Sequence, residues 1–239
     1  MIIIPARIGS TRFPNKVLVS IEGIPMVIRT AQAVSSLDSV VIATDDESVV
    51  NIAKEYGFRA VMTSKEHKSG TDRVYEAATI LNLKDDEIII NVQADEPFIE
   101  KEVLESVYEK IYNYKDDSKV LAASAYKIIS NPEADDPNIV KVVTDSKDMA
   151  LYFSRSKIPY PRDHHFDSYK GHLGIYAYRM NSLKKYCQFK PSSLEKIEKL
   201  EQLRILENGY KIAMTKVETE SFGIDTPEDL ERAIKKHIL

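Results

Sequence analysis

The stretch Glu87-Ile88-Ile89-Ile90-Asn91-Val92-Gln93-Ala94-Asp95-Glu96-Pro97 decides how this chain folds. Its apolar head is short and continuous, the pattern of a strand buried on both faces of a parallel sheet. The strand is expected to run to Asp95, where an amide and a carboxylate appear abruptly and Pro97 stops the pairing. In an open α/β sheet, ligands bind in the crevice beyond the carboxyl ends of the strands. An Asp placed there can hold a hard divalent cation against phosphate oxygens. Asp-Glu-Pro is also ordinary loop chemistry, so a cap or turn former is the competing reading.

The N-terminus repeats the pattern. Met1-Ile2-Ile3-Ile4-Pro5 reads as a strand that begins at once, with no targeting segment ahead of it. Ala6-Arg7-Ile8-Gly9-Ser10-Thr11-Arg12-Phe13-Pro14-Asn15-Lys16 follows, with three cations, one Gly and two hydroxyls in a single loop. Such a loop can wrap a polyphosphate, turning backbone N–H groups toward it while Arg and Lys neutralise its charge. It is no Walker A loop, lacking Gly-Lys-Ser/Thr at the required spacing, and it has no Gly-x-Gly-x-x-Gly fingerprint. A solvated basic loop is the plain alternative, for Arg12 in particular.

Between these two segments the chain alternates. Pro25 suits a helix start, and Met26 to Val34 has apolar residues at mixed helical spacing. Ser39 to Ala43 reads as a strand, and Thr44-Asp45-Asp46 can cap a helix from Glu47 to Tyr56 that Gly57 ends. Arg59 to Thr63 is a third strand, followed by a polar loop and a helix from about Thr71 to Leu83. This order implies an α/β fold with a mostly parallel sheet covered on both faces.

The second half differs. Val120 to Tyr126, Ile139 to Thr144, Leu151 to Phe153 and Leu173 to Tyr178 read as strands without long helices between them, an extra β-rich lobe or edge extension. Ile158 to His165 is a Pro-broken loop. Leu194 to Glu207 reads as one strong helix stopped at Gly209. Its stripe of Leu194, Ile197, Leu200 and Leu203 is a packing surface, and Glu195, Lys196, Glu198 and Lys199 form a solvated face. Asp225-Thr226-Pro227 opens a last helix to Ile238, with Asp225 as a candidate N-cap.

Composition narrows the function. An apolar content of 43% supplies an ordinary core for 239 residues, and 29% charged residues fit a soluble globular protein. A net charge of -4 argues against a dedicated nucleic-acid binder. No apolar run approaches the roughly 20 residues that cross a bilayer. The single Cys187 excludes an intrachain disulfide and suits a reducing compartment, so the cytoplasm is the expected location. His164 and His165 lack the Cys or His companions of a zinc site.

Together the segments resemble the 3-deoxy-manno-octulosonate (Kdo) cytidylyltransferase family. The resemblance runs in order through Ile4-Pro5-Ala6-Arg7, Ser10-Thr11-Arg12-Phe13-Pro14, Ala43-Thr44-Asp45-Asp46, Ser69-Gly70-Thr71-Asp72-Arg73 and Asn91 to Pro97. It continues in Val140-Lys141-Val142-Val143, Ala150 to Arg155, His172-Leu173-Gly174-Ile175-Tyr176, Leu200 to Arg204 and Asp225 to Leu230. It implies a Rossmann-like nucleotidyltransferase fold in one domain, 1–239, with a β-rich dimerisation lobe at about 120–190. It also implies CMP transfer from CTP to Kdo with Mg²⁺, a homodimer, and a role in lipopolysaccharide synthesis. By that resemblance Asp95 and Asp225 are metal carboxylates, Arg7 and Lys16 act with them in catalysis, and Ala6, Arg7, Lys16, Ser69, Gly70 and Arg73 contact the nucleotide. Gln93, His172, Tyr176, Glu201 and Gln202 match the sugar side. Asn15 and Ala94 depart from the family's pattern, standing where Gly is common, which makes the local backbone the point to test. A sialic acid or amino-substituted Kdo as substrate, or a non-catalytic nucleotide-binding protein, are the rival readings.

Overall fold

The computed structural model describes residues 1–9, 13–163 and 166–237. In chain order the elements begin with β1 (Ile2–Ala6), a short 3₁₀ turn (Lys16–Leu18), β2 (Ser20–Ile21), β3 (Ile24–Pro25), α1 (Met26–Val34), β4 (Val40–Thr44) and α2 (Glu47–Glu55). Next come β5 (Arg59–Met62), α3 (Gly70–Ile80), β6 (Ile88–Asn91), α4 (Lys101–Tyr112), β7 (Val120–Ile129), α5 (Asn131–Ala134), β8 (Lys141–Thr144) and β9 (Ala150–Ser154). The chain closes with β10 (Tyr169–Arg179), α6 (Met180–Gln188), α7 (Ser193–Glu198), α8 (Leu203–Glu207), β11 (Lys211–Lys216) and α9 (Pro227–His237). These elements form two compact units, Met1–Glu102 with Glu220–Leu239, and Val103–Thr219.

The first unit carries the parallel sheet. β1 lies between β4 and β6, with Ile2 opposite Val40 on one side and Ile90 on the other. β5 adds beyond β4, also parallel, giving the order β6-β1-β4-β5. Every residue of β1 is buried, which is why its sequence is unbroken apolar rather than alternating. After β1 the chain winds outward to β4 and β5, then returns to the opposite side of β1 as β6. The order therefore reverses between β1 and β6, and the segments that leave their carboxyl ends flank a switch point, the usual ligand position in such sheets.

In the second unit β7 pairs parallel with β11 and antiparallel with β10. β8 pairs with β10 and β9, antiparallel in both cases. Residues 120–190 thus hold four strands, as expected from the sequence, together with α5 and α6.

Three expectations are corrected, and some elements were not anticipated. β6 ends at Asn91, not Asp95: the chain turns immediately, Glu96 N–H donating to Gln93 O at 3.2 Å and Ile99 N–H to Glu96 O at 3.3 Å. The helix expected over Leu194–Glu207 is two helices, because Lys199 adopts φ 55°, ψ 46° and ends α7 in the left-handed region. Its charged face is not simply solvated: Glu195 pairs with Arg204, and Glu198 accepts from Ser154 Oγ at 2.6 Å and Arg155 N–H at 2.9 Å. Finally, α4, α6 and β11 have no counterpart in the sequence reading, although Val103, Leu104, Val107 and Ile111 do give α4 a buried helical face. Ser10, Thr11, Arg12, His164, His165 and Ile238 lie outside the described residues.

Candidate active site

Three segments distant in sequence meet in the first unit around the ammonium of Lys16. Lys16 Nζ donates to Asp95 Oδ2 at 2.6 Å and to Asp225 Oδ1 at 2.9 Å. Each segment is held by apolar neighbours of its functional residue. Ile21, Met26, Ile224 and Ala233 are fully buried together, and Phe13, Phe98, Phe222, Leu230 and Ile234 pack on them. Phe13 and Ile21 bracket Lys16 in sequence, Phe98 follows Asp95, and Ile224 precedes Asp225, so burying this cluster draws the three charges together. Ile224 N–H also donates to the Asp95 carbonyl at 2.9 Å, fixing the two carboxylate-bearing turns side by side.

Local chemistry aims each group. Asn15 takes φ 54°, ψ 26°, which turns the loop so that Lys16 begins the 3₁₀ turn. Capping of α9 falls to Thr226 rather than Asp225. Asp229 N–H donates to Thr226 Oγ1 at 3.2 Å, while Asp229 Oδ2 accepts from Asp225 N–H and Thr226 N–H at 3.1 Å each. This is the reciprocal arrangement of a capping box. The Asp225 side chain is thereby spared for Lys16. Burial alone would depress the Lys16 ammonium, but the Asp95 and Asp225 carboxylates outweigh it and hold the pKa above its ordinary value.

Two aspartates converging on a single positive charge make an all-oxygen donor set with no His or Cys. Among the described residues no cluster of three or more metal-type side chains exists. The pair suits Mg²⁺, which takes one or two carboxylates and completes its shell with phosphates and water. The Lys16 ammonium stands at the point to which both carboxylates are directed.

Around the same switch point, Ala6 is the buried last residue of β1 and Arg7 follows it with an exposed side chain. Ser69 caps α3, accepting from Asp72 N–H at 3.1 Å, and its hydroxyl also meets Asp72 Oδ2 at 2.8 Å. Gly70 permits a close approach: a Cβ there would lie 3.2 Å from Gln93 Oε1 and 3.4 Å from Pro5 Cγ, so these side chains would have to give by a few tenths of an ångström. Gln93 Nε2 donates to Asn91 Oδ1 at 3.1 Å, so the buried Asn91 orients its amide. Arg73 is buried and committed to Asp45 Oδ2 at 2.8 Å and Thr63 Oγ1 at 2.5 Å, which ties α3 to the ends of β4 and β5.

In the second unit His172 and Tyr176 stand on β10 with ring centroids 5.5 Å apart. Burial, then Tyr178 and the Glu201 carboxylate, raise the Tyr176 phenol well above its ordinary value. Glu201 and Gln202 occupy the turn between α7 and α8, where the Glu201 carbonyl accepts from Tyr186 Oη at 3.3 Å. Gln202 is buried.

The chain matches the cytidylyltransferase family over residues 1–212. It is 59% identical over 232 residues to 3-deoxy-manno-octulosonate cytidylyltransferase of a Nitratiruptor species, covering 97% of each chain. It is 54% identical over 239 residues to the enzyme of that name from Wolinella succinogenes, covering 98% of each. The chain belongs to the 3-deoxy-manno-octulosonate cytidylyltransferase family. A solved structure of CMP:2-keto-3-deoxy-manno-octonic acid synthetase complexed with CTP is similar throughout, with TM-score 0.88 and 41% identity over 100% of this chain and 98% of that one.

For a cytidylyltransferase of this family, Asn15 and Ala94 now have a physical account. Asn15 does occupy the left-handed region, which Asn tolerates better than most residues. Ala94 is not among the positive-φ residues, so its Cβ brings no such strain, and its carbonyl accepts from Thr30 Oγ1 at 3.0 Å. The supporting roles of Asn91, Thr226 and Asp229 escape the sequence reading. The Thr226-x-x-Asp229 spacing is the one visible signal.

Proposed function

We propose that this protein transfers CMP from CTP to the anomeric hydroxyl of Kdo, releasing pyrophosphate. The observation that carries the reading is the convergence of Asp95 and Asp225 on Lys16 beside the switch point. The anomeric oxygen attacks the α-phosphorus, the bond to the β-phosphate oxygen breaks, and the hydroxyl proton leaves to solvent. Lys16 and Arg7 neutralise the departing pyrophosphate, and the loop they share aligns it for in-line displacement. Asp95 and Asp225 would hold Mg²⁺, which supplies charge neutralisation on the triphosphate when bound. Ala6, Ser69 and Gly70 contribute backbone and small side chains to nucleotide binding. Arg73 serves that site from behind, by fixing α3. Sugar recognition falls to Gln93, His172, Tyr176, Glu201 and Gln202.

The reading extends to a homodimer acting as one cytidylyltransferase domain per chain in the cytoplasm, feeding lipopolysaccharide synthesis. Pyrophosphate release from CTP is the test, run with Kdo, 8-amino-Kdo and a sialic acid, and repeated with UTP. Release with Kdo and CTP is expected to dominate. Preference for another sugar reassigns the substrate, equal use of UTP removes the base selectivity, and silence with all three sugars leaves a nucleotide-binding protein.

A further inference from the structure

We propose that Ser124 is a positioning residue that fixes His172 in the tautomer protonated on Nε2, so that Nδ1 accepts a hydrogen bond from a sugar hydroxyl instead of pairing with the sugar carboxylate. The inference rests on the assignment of His172 to the sugar side. It begins with a register break. β10 runs antiparallel to β7 with His172 opposite Tyr126 and Leu173 opposite Ala125, yet Tyr176 is opposite Ser124. Gly174 and Ile175 are extra residues in a bulge, and bulges re-aim neighbouring side chains.

Ser124 fills the hollow of that bulge. Its Oγ lies 2.8 Å from Ile175 O, 3.2 Å from Leu173 O and 2.9 Å from His172 Nε2. A hydroxyl has one proton to give, and carbonyl oxygens can only accept. The Ser124 proton therefore goes to the bulge carbonyls, and Nε2 must be the donor to Oγ. Ser124 is fully buried, so water does not compete for the hydroxyl.

The ring is neutral as well as oriented. Burial holds the His172 imidazole down to about pKa 3 with no carboxylate opposing it. Phe153 packs edge-on at 4.9 Å and Tyr176 lies tilted at 5.5 Å. A neutral imidazole with its proton on Nε2 carries a lone pair on Nδ1. His172 is only part-buried, and among the described residues its sole hydrogen-bond partner is Ser124 at Nε2, which leaves Nδ1 without one. His172 therefore offers an accessible acceptor, complementary to a hydroxyl.

The full-length wild-type protein, ¹⁵N-labelled at histidine, gives the first test. Long-range ¹H–¹⁵N spectra, assigned with His172→Gln, should show the Nε2–H tautomer without titration between about pH 8 and pH 5, where an ordinary histidine would titrate. In Ser124→Ala the tautomer should become mixed, and KM for Kdo should rise roughly three- to tenfold, the scale of one neutral hydrogen bond, with KM for CTP unchanged. An Nδ1–H tautomer or ordinary titration in the wild type overturns the proposal. So does an unaltered His172 spectrum in Ser124→Ala. If that variant does not fold, the wild-type spectrum decides alone. Wild-type protein that releases no pyrophosphate with Kdo overturns the functional reading instead, whatever the tautomer.

Discussion

Lys16 touches both Asp95 and Asp225, so each aspartate can be tested as a charge rather than as a shape. Asp95→Asn and Asp225→Asn remove one negative charge each, and each should lower turnover by at least ~10²-fold, the scale of losing a preorganised electrostatic contact. The fold should survive Asp225→Asn because Thr226 and Asp229, not Asp225, cap α9. Turnover against Mg²⁺ concentration, beside a thermal melt, checks both statements; near-normal activity in Asp225→Asn rejects the paired-carboxylate mechanism. His172 makes a separate prediction about pH. Its pKa is about 3 in the fold against an ordinary 6.5, so between those values the unfolded chain binds the extra proton. Stability at this site is therefore intact above pH ~6.5 and falls as pH drops toward 3. His172→Gln should lose less melting temperature than wild type between pH 7 and pH 5, and parallel losses would refute it.

At the scale of elements, the break between α7 and α8 is the feature that the apolar stripe concealed. Leu194, Ile197, Leu200 and Leu203 keep helical spacing, yet Lys199 turns left-handed and Leu200 N–H reaches back to Glu195 O at 3.3 Å. Leu200 and Leu203 are buried as a result, while Ile197 stays 76% exposed. The same turn presents Glu201 and Gln202. A side chain in the left-handed region costs roughly 1 kcal/mol, more when β-branched. Lys199→Gly should accordingly leave stability equal or raise it by up to about 1 kcal/mol, whereas Lys199→Val should lower it by at least that much. Urea unfolding midpoints at unchanged slope decide between them. Periodicity alone could not find the break, since no Gly or Pro marks Lys199.

At the scale of the whole molecule, the homodimer is the next proposal to test. No helix among the described residues is long and apolar enough to cross a membrane. Two large apolar side chains of the second unit are exposed, Leu151 of β9 at 60% and Ile197 of α7 at 76%, and they are the first positions to probe for a partner contact. Light scattering at micromolar concentration should give twice the chain mass, and Ile197→Glu should lower it toward one. A wild-type monomer ends the proposal; a variant that remains dimeric moves the interface elsewhere. By itself the sequence determined the parallel βα framework of the first unit, because the unbroken apolar runs Ile2-Ile3-Ile4 of β1 and Ile88-Ile89-Ile90 of β6 suit a sheet covered on both faces. Its loops likewise displayed the charges of Arg7, Lys16 and Asp95. Only the tertiary structure decided that Asp225 joins Lys16, that Arg73 is spent on Asp45, and that Ser124 meets His172. Those pairings depend on burying side chains far apart in the chain, and on register shifts that no local pattern encodes.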